Sequence, residues 1–278
     1  MVENKKTTVA HSAILSFKDL AKNLNLLIPD ILLLILSSVL VLVFVKFNNL
    51  APIFSKITSP QLFYDSIASH LSLQSNLIKF VFSTIGLILL NFGFGLSFIT
   101  TRYLMITSII NQKKPTFWNT YKSCGRYIFK VFTVKLCLFL IYITPALIAL
   151  LFIFLFKINL LRFIFILALI ILYIFFFFAL SFVWPVLFLN TRGNVFKSIK
   201  ITFKWFKLNR KKVAASVLII IFVKLILSYA ISRIDLLLKN FINQNYALLI
   251  GGIQSLIGVF LVVWASMFLF NVYKTSKH

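Results

Sequence analysis

The sequence predicts an all-α fold: a polytopic integral membrane bundle of six transmembrane helices, with amphipathic interfacial helices on the cytoplasmic side. Three observations predict it. Six long apolar segments fill most of the 278 residues, and a helix crosses the hydrocarbon core of a bilayer in about 20 residues. The composition is 61% hydrophobic and 12% charged, where a soluble domain has roughly 45–50% apolar and about 25% charged residues. That excess is too large for one globular core and needs lipid to cover it. Finally, nearly all lysines and arginines lie between the apolar runs, and mostly in alternate connections.

Residues 1–27 read as a cytoplasmic amphipathic lead, with Ser12 as N-cap and Ile14, Phe17, Ala21 and Leu24 on one face. No cleavable signal is expected, because the first apolar run is too long for a signal-peptide core. The spans run about 29–47, 77–101, 127–156, 160–189, 213–231 and 246–273, and residues 1–278 form a single membrane domain. Asp30 follows Pro29 and suits the start of the first span electrostatically. Between the first two spans, Ser59–Pro60 predicts a short interfacial helix through Leu62, Phe63, Ile67 and Leu71. Its Asp65 and His70 stand five residues apart, so on a helix they diverge, which argues against acid–base work.

A second amphipathic stretch starts near Pro115 with Phe117, Trp118, Tyr121 and Lys122, and a third follows Gly193–Asn194. The chain thus reads as three units of interfacial helix, outgoing span and returning span. The competing reading is that any loop between spans looks amphipathic. Pro145 and Pro185 free the carbonyls of Ile141 and Ser181 and bend spans three and four. Gly86, Gly93 and Ser97 in span two, with Gly251, Ser255, Gly258 and Ala265 in span six, form small-residue seams for close helix contact.

The net charge is +24, from 29 basic and 5 acidic residues. Such a value suits nucleic acid, but the placement of the basic residues between spans favours anionic headgroups and topology instead. Of the 29, 20 fall on one side of the spans and 7 on the other, with Lys135 and Lys224 inside spans. That asymmetry puts both termini in the cytoplasm of a multi-pass protein of the cell membrane. Cys124 and Cys137 match no zinc or redox spacing and read as small apolar fillers. No catalytic residue, metal site or cofactor is expected.

The third amphipathic stretch is the clearest. At about 100° per residue, Lys197, Lys200, Lys204, Lys207 and Lys211 share an arc of about 80°. Phe196, Ile199, Phe203 and Phe206 flank it on one side, and Ile201, Trp205 and Leu208 on the other. This is the pattern of a helix lying in the interface with lysines at lipid phosphates. The alternative is a helix packed on the ends of the spans with a solvated lysine face; the two are compatible.

Ionisable residues at bilayer depth are the other candidates. By helix rise, Lys135 lies about 12 Å, Asn91 about 15 Å and Lys224 about 18 Å from the cytoplasmic ends. The same level holds Ser37, Ser38, Ser181 and Ser266. Lysines without a carboxylate suit an anion or a lipid phosphate, so Lys224, Lys135 and Asn91 form a candidate ligand site. Snorkelling of the lysine stems to the headgroups is the simpler alternative.

The segment Trp184–Lys212 resembles a recurring block of a six-span membrane-domain superfamily through Pro185, Gly193, Thr202 with Phe203, and Asn209. Thr202 stands where that family often has Ser. The superfamily includes the membrane region of some glycerophosphodiester phosphodiesterases and related archaeal and bacterial membrane proteins. The lead KNLNLLIPDILLLIL is similar to the family's entry into its first span. The resemblance implies a six-helix membrane domain. It does not carry phosphodiesterase activity here, since the five acidic residues Glu3, Asp19, Asp30, Asp65 and Asp235 are scattered. The expected function is therefore non-enzymatic: organising or handling lipids, or scaffolding a membrane partner. The alternative is a small transporter or permease subunit with an anion site in the inner half of the bundle.

Overall fold

Long runs of Leu, Ile, Phe and Val offer the backbone no side-chain partners, and a helix satisfies its N–H and C=O groups internally. The computed structural model describes residues 8–51, 69, 74–155, 159–191, 193–239 and 246–276, and among these no strand occurs. The helices are α1 (Val9–Lys22), α2 (Ile28–Phe47), α3 (Gln74–Ile110), α4 (Phe117–Ser123), α5 (Gly125–Leu155), α6 (Asn159–Leu180), α7 (Val183–Leu189), α8 (Val195–Leu208), α9 (Arg210–Lys239) and α10 (Tyr246–Thr275). A single 3-10 turn, Leu24–Leu27, joins α1 to α2. The helix expected after Ser59–Pro60 lies outside the described residues.

Six stretches are long and apolar enough to cross a membrane: Leu24–Phe47, Asn76–Ile110, Gly125–Pro145, Phe163–Leu189, Arg210–Ile234 and Ile250–Thr275. Their number matches the sequence reading. The second runs past its expected end at residue 101, because Tyr103, Met105, Ile106 and Ile110 beyond Arg102 are buried and hold the helix in the core. Three short helices precede long ones, α1 before α2, α4 before α5 and α8 before α9. Pro185 interrupts the fourth stretch. Its ring excludes the helical bond to Ser181, and the chain turns at residues 181–182 before resuming as α7.

The chain divides into two compact units: Pro29–Ile99, and Met1–Ile28 with Thr100–His278. In the smaller unit, α2 is tied to α3 by Ser37 Oγ donating to Asn91 Oδ1 at 2.8 Å and by Asn48 Nδ2 donating to Ser83 Oγ at 2.9 Å. The rings of Phe44 and Phe80 meet at 5.5 Å.

In the larger unit α10 is the axis, against which α1, α7 and α9 pack. The core gathers Trp264, Met267, Phe268 and Phe270 of α10 with Phe182, Val183, Val186 and Leu187 beside α7, and with Val131 and Val134 of α5. Tyr103 stacks between Trp184 at 5.1 Å and Phe270 at 5.7 Å. Away from this core, the apolar side chains of α6 stay exposed, Ile170, Ile171, Tyr173 and Ile174 among them.

Two expectations are corrected. The N-cap of α1 is Thr8, whose side chain accepts from the His11 backbone, and Ser12 lies inside the helix. The face α1 buries is Ser12, Ser16 and Leu20, while Ile14, Phe17 and Leu24 are exposed. Small hydroxyls let α1 sit close on α10, with Leu20 buried beside them and Ile14 and Leu24 left exposed. The small-residue seams are not closed either. A Cβ added at Gly86, Gly93, Gly251 or Gly258 would meet nothing within 4 Å among the described residues.

Candidate functional site

Two arrangements of lysine stand out, both within the larger unit. The first is α8. Thr191 and Gly193 set up its start: Gly193 takes φ +94°, a left-handed conformation open to glycine. Asn194 then caps α8, accepting from the Lys197 backbone at 3.0 Å. The hydroxyls of Thr191 and Ser198 lie 2.6 Å apart, closing the turn.

α8 buries Val195, Ser198, Thr202, Trp205 and Phe206, and packs on α7, α6, α5 and α9. Trp205 meets Phe182 at 4.6 Å and Tyr273 at 5.3 Å. Lys197, Lys200, Lys204 and Lys207 are all exposed. Phe196 and Leu208 at the two ends of the helix are 75% and 77% exposed. The geometry is that of a packed helix with an outward cationic face and two apolar side chains beside it.

Lys211, the fifth member of the expected arc, belongs to α9. Asn209 breaks the helix between them: its backbone leaves the helical region, and its side chain donates to the Trp205 carbonyl at 3.2 Å. A local bond of this kind competes with helix continuation. Lys211 is exposed, as are its neighbours Arg210 and Lys212.

The second arrangement is a groove of about 370 Å³ between α9 and α10, lined by Lys224, Ser228 and Ser232 of α9 and by Gln254 and Gly258 of α10. Leu227, Ile231, Ile257 and Leu261 complete the wall. Of the three residues the sequence grouped, only Lys224 lines it. Lys135 is half-buried on α5, within electrostatic reach of Arg102. Asn91 is engaged by Ser37 in the smaller unit. The companions that sequence reading missed are Ser228, Ser232 and Gln254. Their signal was spacing: Lys224, Ser228 and Ser232 recur every four residues and so share one face of α9.

Among the described residues no group of three or more His, Cys, Asp or Glu is placed to hold a metal ion. Cys124 and Cys137 are free thiols, and burial pushes the Cys124 thiol up from its ordinary range.

No protein-family model, curated protein or solved structure matches the chain.

Proposed function

We infer that this chain is a multi-pass protein of the cell membrane, with both termini cytoplasmic, that gathers anionic lipid headgroups along α8. The reading is non-enzymatic: a protein that organises or handles lipid, or presents it to a membrane partner. The observation that carries it is the division of α8 into a packed face of Ser198, Thr202, Trp205 and Phe206 and an exposed face of four lysines. Packing anchors the helix against its neighbours, so its lysines are presented without the entropy loss of folding a free peptide on the surface. Each lysine near a negatively charged leaflet contributes about 1 kcal/mol. Phe196 and Leu208 supply apolar side chains for the headgroup boundary.

The positive-inside asymmetry, 20 basic residues against 7, supports placing α8 on the cytoplasmic side. The likeness of Trp184–Lys212 to a six-span membrane-domain superfamily belongs to the same proposal, and its residues Pro185, Gly193 and Asn209 fall at the break, turn and cap around α7 and α8. A reporter fused after His278 tests the placement. Activity of a cytoplasm-only reporter is expected, and activity of an outside-only reporter would reverse the orientation.

A second reading, a small transporter or permease subunit, draws on the polar groove at Lys224. Transport of a soluble anion into vesicles carrying the purified protein would favour it over lipid handling.

A further inference from the structure

We propose that the groove between α9 and α10 is a binding site for a single anionic lipid. Its headgroup oxygens are held by Lys224, Ser228, Ser232 and Gln254, and its acyl chain lies on the apolar rim. The site is separate from the lysine face of α8 and stands or falls independently of it.

Depth makes an unaccompanied ammonium costly. Lys224 lies 12 residues past Lys212 and 9 before Arg233, the charged residues that bound it on α9, or about 18 Å and 14 Å along the helix. A lysine stem reaches only several ångströms, so the ammonium stays within the apolar stretch whichever way it turns. A charge there requires a partner or water.

The groove's two hydroxyls differ from several others on the long helices. Ser38, Thr133, Ser216, Ser255 and Ser266 each turn the hydroxyl back onto the carbonyl four residues earlier, at 2.7–2.9 Å. Ser228 and Ser232 make no such bond, and neither Lys224 nor Gln254 has a partner among the described residues. Four polar side chains, each of them exposed, therefore line one groove without a hydrogen-bond partner among the described residues.

Their chemistry is that of donors. An ammonium, two hydroxyls and a carboxamide N–H₂ face the groove, and among the described side chains no carboxylate lines it. That set matches a phosphate or carboxylate oxyanion. Gly258 contributes room, since a Cβ there meets nothing within 4 Å. The volume, about 370 Å³, lies in the usual range of about 300–1,000 Å³ for small-ligand sites.

The surroundings identify the source as lipid. Leu227, Ile231, Ile257 and Leu261 form an apolar wall beside the polar groups of the groove. A soluble anion gains nothing from them, whereas an acyl chain covers them while its headgroup enters the groove.

Native mass spectrometry of the full chain tests this, with phosphatidylglycerol, phosphatidylcholine and inorganic phosphate as probes. The background carries Lys197→Gln, Lys200→Gln, Lys204→Gln and Lys207→Gln, so α8 does not contribute. One phosphatidylglycerol should bind in preference to phosphatidylcholine. Lys224→Met should weaken it about tenfold, the scale of a lost charged hydrogen bond, while Lys224→Arg retains most of the affinity. Gly258→Leu fills the groove without a backbone clash, so a folded protein that has lost the lipid is expected. Undiminished phosphatidylglycerol binding in both Lys224→Met and Gly258→Leu would overturn the site. Inorganic phosphate bound as tightly as phosphatidylglycerol, and as sensitive to Lys224→Met, would overturn the lipid as its occupant.

Discussion

Asn271 near the end of the last helix donates its side-chain amide to Ser16 Oγ of the first, across 2.9 Å and 255 residues of sequence. Both side chains are buried. The same amide reaches Asp19 Oδ2 at 3.3 Å, and Ser16 donates onward to the Ser12 carbonyl at 2.7 Å. This chain of bonds clamps α1 on α10. Phe17 adds a ring contact with Trp264 at 4.8 Å.

Asn271→Leu should therefore loosen α1, at a cost of about 1–3 kcal/mol for the buried groups left unpaired. Ser16→Ala should cost less, and the double substitution should fall short of the sum. The midpoint of thermal unfolding in detergent reads the effect. Strict additivity would mean that the two residues act separately.

Gly193 and the helical glycines should behave oppositely. At Gly193 a side chain would have to adopt φ +94° and would collide with Lys130, so Gly193→Ala should cost about 1–2 kcal/mol or more. Gly93→Ala and Gly251→Ala meet open space and should be neutral or stabilise by up to about 1 kcal/mol through helix propensity. Comparable losses at all three positions in the same unfolding assay would restore the idea of packed glycine seams.

Cys124 should be a slow thiol. Burial raises its pKa, so less thiolate is present near neutral pH than for an ordinary cysteine, and the thiolate is the reactive form. Because the folded value lies above the unfolded one, the associated stability is present at low pH and is lost as pH rises through the thiol range. Maleimide labelling that is fast without denaturant would show that Cys124 is accessible after all.

The spans were legible because an apolar run of membrane length is a composition signal that tertiary packing does not alter. The start of the third amphipathic helix after Gly193–Asn194 and the bend at Pro185 were equally local, since each follows from the residues at that point. The buried face of α1 was not legible. Sequence periodicity assigns the large apolar residues inward, but here Ser12 and Ser16 allow close approach to α10 and Ile14 stays outside. Nor was the end of the lysine arc, which depends on Asn209 choosing a side-chain bond over another helical turn. Lys224 was found by its depth. Ser228 and Ser232 share its face of α9 by spacing, whereas Gln254 and Gly258 depend on which face of α10 meets α9.

The central claim is that the exposed lysines of α8 gather anionic lipid. The direct measurement is the lipid shell retained by the full chain after reconstitution in a mixture of phosphatidylglycerol and phosphatidylcholine, with the quadruple variant Lys197→Gln, Lys200→Gln, Lys204→Gln and Lys207→Gln alongside. The account predicts phosphatidylglycerol enrichment around the unaltered protein that declines as salt rises, and loss of most of that enrichment in the quadruple variant. Lys224→Met, which removes at most the single lipid of the groove, should leave it largely intact. Equal phosphatidylglycerol enrichment for the unaltered and quadruple-variant proteins would contradict the claim and reduce the lysines of α8 to topology and solubility.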